Sequence, residues 1–292
     1  MAIETQSPSA VRTVAVLGHE DGGDVGPAIQ AAIKIARSVE CTLIATDDEI
    51  ARHPGLDLAG LVGVDVLPPE PDLCLVLGGD GTILRALRYY ARTAVPVFGL
   101  NYGTVGFLAA AEAEELQPAL ERAFNGDFDV LSMPGLEVGL DAEYPLAFND
   151  VSFARPPHGR VAELSYRLGG QEVGRVRCDG LVASTPAGST GYNLANGGPI
   201  LAWGVEGFAV SFVAPHTLTA RPLVVAPDDI LYVRNEGIRD SVDVSLDGVH
   251  VSELPAGAEV EVKFRNGLAC LAQLAGSTFY SRIREKFGRL AH

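Results

Sequence analysis

The stretch Leu73–Tyr90, LCLVLGGDGTILRALRYY, sets a carboxylate where an anion would be expected to bind. An apolar run ends in Gly78, Gly79, Asp80, Gly81 and Thr82, and a helical pattern follows at once. A strand, a tight glycine turn and a helix start leave backbone N–H groups facing outward at the positive end of the helix dipole, which is a ready anion site. The loop has no lysine, and Asp80 alone would repel phosphate. It fits beside a polyphosphate when a divalent cation bridges the two, or when it faces a hydroxyl whose proton it accepts. Both options point to phosphoryl transfer; the plainer alternative is a turn rich in glycine for steric reasons.

Four stretches of the second half are too polar and glycine-rich for simple strand ends: Phe148-Asn149-Asp150, Arg177-Cys178-Asp179-Gly180, Ser184 through Tyr192, and Pro215-His216-Thr217-Leu218. Asn149 and Asp150 together offer acceptors and a donor suited to two adjacent hydroxyls, as on a ribose, with Asx capping of a turn as the alternative. Asp179 lies two residues from Arg177, so on a strand the two share a face and an ion pair between them is open. Tyr192 either packs beside a base or fills core. Arg85 and Arg160 carry guanidinium groups suited to phosphate, with a solvated surface role as the equal alternative, and His216 reads as a hydrogen-bonded structural histidine.

The elements that must hold these groups come in two textures. Val11–Leu17, Cys41–Ala45, Val62–Leu67, Leu73–Leu77 and Val95–Leu100 read as strands, and they alternate with helical patterns over Ala28–Val39, Thr82–Arg92 and Glu112–Phe124. Pro27 suits a first helical position, whereas Pro118 is placed to kink or split the last helix. Such alternation predicts a Rossmann-like parallel α/β domain, with ligands beyond the carboxyl ends of its strands. That edge carries Gly18 with the loop to Asp24, the Gly78–Thr82 turn, and Asn101–Leu108.

From about Leu131 short strands dominate: 136–140, 146–153, 161–168, 172–178, 181–184, 208–213, 230–234, 242–246, 260–264 and 268–274. Gly169-Gly170 suits a two-residue hairpin turn. The second domain is predicted to be a mostly antiparallel β-sandwich, with a short helix near Thr190–Ala195. A terminal helix from about Thr278 to Phe287 is amphipathic and packs back on the first domain. The expected division is 1–130 with 276–292, and 131–275, after a frayed start.

With 292 residues the chain can build two cores. A formal net charge of −15 without clustered Lys and Arg argues against nucleic acid as a partner and favours small molecules. Cys41, Cys74, Cys178 and Cys270 are far apart, lack metal-ligand spacing and read as reduced, mostly buried thiols of a cytoplasmic protein. No run approaches the roughly 18 apolar residues of a membrane span.

Taken together, these motifs resemble the NAD kinase family, enzymes that phosphorylate the 2′-hydroxyl of the adenosine ribose of NAD. The resemblance covers nearly the whole chain. Beyond GGDGT it includes NYGTVGFL at 101–108, similar to N-x-G-x-x-G-F-L, then GGPIL, PHTLTARPLVV and Asp247-Gly248 in the family's order. GGDGT alone is shared with lipid kinases, while the combination is specific.

The resemblance implies that Asp80 acts on the 2′-hydroxyl as base, metal ligand or both. Donor phosphates lie over Gly78, Gly79, Gly81 and Thr82. NAD is implied to contact Asp80, Gly81, Arg85, Asn149, Asp150 and Arg160, with Asp179 at the nicotinamide end. Thr190, Gly191, Tyr192, Asn193 and Ala195 line the same site. Also implied are ATP or polyphosphate as donor with Mg²⁺, no metal site made by the protein alone, an inter-domain cleft, and homodimers or homotetramers in which one subunit can complete its neighbour's site.

The chain departs from the family pattern at Asp150, where many relatives have Glu, and at Ala187 and Gly191, where TPTGSTAY is commonest. Val249 stands where Gln is frequent. These put donor preference and the choice between NAD and NADH in question more than the reaction. A lipid kinase of diacylglycerol type is the runner-up, against which stand Asn149-Asp150, R-x-D-G and TPAGST. A non-catalytic NADP(H)-binding sensor is the other, against which stands intact Asp80.

Overall fold

The computed structural model describes residues 3–5, 11–19, 25–102, 106–140 and 145–288. Residues 20–24 of the loop after the first predicted strand, and 103–105 of the NYGTVGFL segment, lie outside the described residues. The chain divides into two compact units, Ala2–Met133 with Leu268–His292, and Pro134–Gly267.

The first unit is a parallel sheet wound with helices. Its strands run, from one side, Pro96–Asn101, Leu73–Leu77, Thr13–Gly18, Thr42–Thr46 and Leu61–Val64. The strand order reverses between Thr13–Gly18 and Leu73–Leu77, where Gly18 pairs with Leu77. A reversal of this kind opens a crevice at the carboxyl ends of the strands, and the Gly78–Thr82 turn leaves the sheet there. All five residues of Leu73–Leu77 are buried, as a strand covered on both faces requires.

The helix Asp80–Tyr89 lays Ile83 on the backbone of Gly99: a Cβ there would lie 2.4 Å from Ile83 Cδ1. Ile29, Ile33, Leu120 and Phe124, from the helices Gly26–Ser38 and Leu116–Phe124, pack with Leu43, Leu75 and Phe98 in one core. Cys270–Ala272 pairs in parallel with Pro96–Phe98. The helix Phe279–Phe287 belongs to this unit and is held at its start by a capping box between Thr278 and Ser281.

The second unit packs two antiparallel sheets. One runs Gln171–Cys178, Ala162–Leu168, Leu231–Asn235 and the first half of Glu259–Gln273. The other runs Leu223–Val225, Phe208–Val213, Gly180–Ser184, Asp150–Ala154, Val242–Leu246 and Val249–Leu254. Phe153, Leu181, Phe208, Phe212, Tyr166 and Phe264 lie between them in a separate core. Gly169 and Gly170 both have positive φ, the geometry of the predicted two-residue turn.

Several expectations change. The two strands predicted at 260–264 and 268–274 are one, Glu259–Gln273, which passes through the exposed Arg265-Asn266-Gly267. The start is not wholly frayed, because Ile3–Thr5 pairs with Asp129–Leu131. The helix predicted over Glu112–Phe124 is shorter: Ala113–Glu115 is a 3-10 turn and the α-helix is Leu116–Phe124, so Pro118 falls in its first turn, where the missing N–H is no loss. Asp47–Ala51 forms an unpredicted short helix, with Thr46 Oγ1 accepting from the Glu49 amide at 3.2 Å. Among the described residues no helix is long and apolar enough to cross a membrane. The four cysteines are unbridged, and burial raises the thiols of Cys41 to about 11 and Cys178 to about 12.

Candidate active site

In the first unit Gly79 caps the helix Asp80–Tyr89 and Asp80 is its first residue, so the carboxylate stands at the positive end of the dipole. The carboxylate is not loose. Its Oδ2 accepts from the Phe107 amide at 2.8 Å and its Oδ1 from the Leu108 amide at 3.1 Å. Gly106 makes this approach possible, because a Cβ at that position would lie 2.1 Å from Asp80 Oδ1. At Gly79 and Gly81 the reverse holds: among the described residues no atom beyond the turn's own backbone lies within 4 Å of where a Cβ would be, so none of their packing calls for glycine at these two positions. Thr82 is buried beneath Gly78, and Arg85 Nη2 donates to the Gly18 carbonyl at 2.6 Å, across the reversal in strand order.

In the second unit Asn149 and Asp150 hang on Asp247. The Asp247 carboxylate accepts from the amides of Phe148 at 3.1 Å, Asn149 at 2.6 Å and Asp150 at 3.2 Å. Asp247 and Gly248 both have positive φ and form the tight turn between Val242–Leu246 and Val249–Leu254. The Asp-Gly pair predicts that turn from sequence, but not that its carboxylate reaches a loop 97 residues earlier.

Behind the pair, Thr185 Oγ1 donates to the Phe148 carbonyl at 2.6 Å, and the Thr185 amide to the Asn149 carbonyl at 2.9 Å. Gly188 packs against the Asn149 backbone so closely that a Cβ would lie 2.1 Å from the Asn149 carbonyl oxygen. The result is a rigid presentation of two side chains. Asn149 Oδ1 is buried and has no hydrogen-bond partner among the described residues. The Asp150 carboxyl is pushed up to about 7, by burial first and then by the neighbouring Asp247.

The TPAGSTGY run continues as a 3-10 turn, Gly188–Thr190, and one helical turn, Tyr192–Ala195. Thr190 is half-buried, and Gly191, Tyr192 and Ala195 are exposed, so Tyr192 is not core filling. Burial and the charges of Asp150 and Asp179 raise the Tyr192 phenol, which brings these three into one neighbourhood. Asn193 faces inward instead: it is fully buried, and its Nδ2 donates to the carbonyls of Ser189 at 3.0 Å and Pro199 at 2.9 Å. It holds the turn.

Asp179 does form an ion pair, but with Arg155 at 2.7 Å and not with Arg177. Arg155, Arg160, Arg177 and Arg239 line a cavity of about 940 Å³ together with Asp179, and the side chain of Arg160 is exposed on it. His216 is likewise exposed; its backbone N–H donates to the Arg177 carbonyl at 2.7 Å, while its ring makes no hydrogen bond among the described residues. Among the described residues no group of three or more His, Cys, Asp and Glu is placed to hold a metal.

A glycine turn that sets a carboxylate at a helix start, and a separate Asn-Asp pair held by backbone bonds, are features suited to a phosphotransferase acting on a hydroxyl-bearing acceptor. Comparison narrows the class. Residues 64–128 match the model of the ATP-NAD kinase N-terminal domain, and residues 148–267 that of the ATP-NAD kinase C-terminal domain. The chain is 33% identical over 302 residues to the NAD kinase of Thermobifida fusca, covering 94% of this chain and 89% of that protein. It is 34% identical over 267 residues to the NAD kinase of Symbiobacterium thermophilum, covering 87% and 94%.

Among solved structures it resembles an NAD kinase from Archaeoglobus fulgidus in complex with ATP, with a TM-score of 0.72, 25% identity and coverage of 94% and 97%. Its fold also matches yeast NADH kinase complexed with NADH, with a TM-score of 0.83, 22% identity and coverage of 99% and 94%. The chain belongs to the NAD kinase family.

Proposed function

We propose that the chain transfers the terminal phosphoryl group of ATP to the 2′-hydroxyl of the adenosine ribose of NAD, giving NADP. The observation that carries this reading is the buried, partnerless Asn149 Oδ1 beside the Asp150 carboxyl. An acceptor without a donor in so ordered a loop costs about 1–3 kcal/mol unless a ligand supplies one, and a ribose hydroxyl does. Asp150 can donate to or accept from the second hydroxyl, since burial and Asp247 push its carboxyl up to about 7 and bring both protonation states within reach near neutrality.

Tyr192, Gly191, Thr190 and Ala195 flank the adenosine, and Asp179 and Arg160 take the other end of the dinucleotide. Asn193 acts by bracing the turn. Gly78, Gly79, Gly81 and Thr82 receive the donor phosphates at the helix start, and Arg85 adds positive charge on the same turn. Asp80 takes or orients the 2′-hydroxyl proton. Its two oxygens each accept one amide and so keep lone pairs, which fits a divalent cation carried on ATP and met by a single carboxylate. When bound, Mg²⁺ neutralises charge on the transferred group. The chain's own contribution is positioning and electrostatics, because a ribose hydroxyl attacks only when held in line.

Association into homodimers or homotetramers belongs to the same reading. It is supported by the exposed Val249 and Val251 on the sheet-edge strand Val249–Leu254 and by the family resemblance. The unbridged thiols suit a reducing cytoplasm.

Incubation of the purified chain with ATP, Mg²⁺ and NAD is expected to yield NADP. Asp80→Asn is expected to cut that rate by about 10²- to 10⁴-fold with the thermal unfolding transition in place. NADP formation by Asp80→Asn at the unaltered rate overturns the assignment.

A further inference from the structure

Arg282 lies on the helix Phe279–Phe287, far in sequence from every motif that marks the site. Its guanidinium is drawn inward. Nε donates to Ser277 Oγ at 3.1 Å, and Nη2 donates to the same oxygen at 2.8 Å and to Gln273 Oε1. Gln273 is itself buried, and its Nε2 donates to the Leu108 carbonyl at 2.8 Å. The Leu108 N–H grips Asp80 Oδ1. Leu108 is thus pinned at both its N–H and its carbonyl, between a carboxylate on one side and an amide that a cation holds on the other.

The line has little slack. Gly106 touches the Asp80 carboxylate, Leu108 is buried, and Gln273 ends a strand whose Cys270–Ala272 segment is laced to Pro96–Phe98. Burial disfavours the Arg282 cation, and the carboxylates of Asp80, Glu285 and Glu112 favour it, in that order. Hydrogen bonds in series in a low dielectric polarise one another, so a charge at each end stiffens the line between them.

We propose that Arg282 is a positioning residue for the phosphoryl-transfer reaction, fixing the direction of the Asp80 carboxylate through Gln273 and Leu108. The proposal rests on the reading of Asp80 as the reacting carboxylate. Proton acceptance from a hydroxyl needs one lone pair of Asp80 aimed at it, and the two amides that aim it, from Phe107 and Leu108, belong to the loop that Gln273 anchors. The helix does not depend on Arg282 for its own integrity. The Thr278–Ser281 capping box starts it, and Phe279 and Ile283 bury its apolar face.

The test compares Arg282→Ala, Arg282→Lys and Gln273→Glu with the unaltered full chain, using ATP, Mg²⁺ and NAD and reading NADP. Gln273→Glu keeps an acceptor for Arg282 and removes the donor to Leu108, so it breaks the line while leaving the cation paired. Arg282→Ala and Gln273→Glu are each expected to lower kcat by about tenfold or more, with KM for NAD and for ATP within about twofold. The double variant should be no slower than the slower single one, since the two act as a unit. Arg282→Lys should recover part of kcat, and guanidinium ion far below denaturing concentration should restore part of it to Arg282→Ala but not to Gln273→Glu.

A kcat within about twofold of the unaltered chain in Gln273→Glu and in whichever Arg282 variant folds overturns the proposal. Losses that multiply in the double variant, or that appear in KM alone, overturn it too. Asp80→Asn serves as the reference. If it is inactive while the Arg282 and Gln273 variants are not, the relay alone falls; if it is active, the reading of Asp80 falls first.

Discussion

Both units solve the same problem with the same device and put it to opposite use. In each, an aspartate carboxylate gathers consecutive backbone N–H groups: Asp80 takes those of Phe107 and Leu108, and Asp247 takes those of Phe148, Asn149 and Asp150. In the α/β unit the carboxylate that is held is the one proposed to react. In the β unit the carboxylate is scaffold, and the side chains proposed to bind NAD are borne by the residues it gathers. The electrical settings differ accordingly. Asp80 has the cation of Arg282 in its field, whereas Asp150 sits beside a second carboxylate and is driven toward protonation. The second arrangement makes a buried carboxyl available as a hydrogen-bond donor.

Removing the scaffold should do the most damage. Asp247→Ala leaves three amides without their charged acceptor and is expected to cost about 2–4 kcal/mol of stability, read as a lower urea midpoint. In the folded fraction, KM for NAD should rise more than kcat falls; the opposite split would mean that the β-unit loop does more than bind.

Next comes the coupled pair. Asp150 binds its proton more tightly folded than unfolded, its carboxyl standing at about 7 against an ordinary 3.8. Stability therefore falls as pH climbs from about 4 to about 7 and is level above, where the penalty is complete. Asp150→Asn removes that slope, and its advantage in unfolding free energy over the unaltered chain should grow steadily across this window, by on the order of a kcal/mol for each pH unit. A constant difference would show that the folded chain does not raise the Asp150 carboxyl.

Smallest is Gly106→Ala, whose new Cβ must push Asp80 Oδ1 aside. It is expected to lower kcat about tenfold, with KM for NAD unchanged and little loss of stability. An effect on KM instead would erase the difference between the two loops.

How much of this is legible in the sequence depends on how local the cause is. The alternation of strands and helices before residue 131 and the short strands after it are local patterns, and they yield the α/β and β architecture directly. Thr46-Asp47-Asp48-Glu49 has the spacing of a capping box and marks the short helix that apolar periodicity passes over. Arg265-Asn266-Gly267 reads as a turn because it is polar and Gly267 has positive φ, yet the strand continues through it. At the candidate site, residue types and order single out the side chains proposed to act, but not what aims them. Asp247 reaches across 97 to 99 residues, Gln273 reaches back 165 to Leu108, and Arg155 displaces Arg177 as the partner of Asp179. Such partners are set by packing, which no short window contains.

The division of the chain also has a consequence for the order in which it is built. Pro134–Gly267 is one uninterrupted segment, whereas the α/β unit needs Leu268 onward to lay Cys270–Ala272 against Pro96–Phe98 and to seat Arg282 behind the reactive loop. During synthesis the chain therefore holds every strand of the β unit before its neighbour gains the Cys270–Ala272 strand and the buried cation of Arg282. The half that begins first is completed last, and the loop that holds Asp80 gains its full support only once residue 282 has been added.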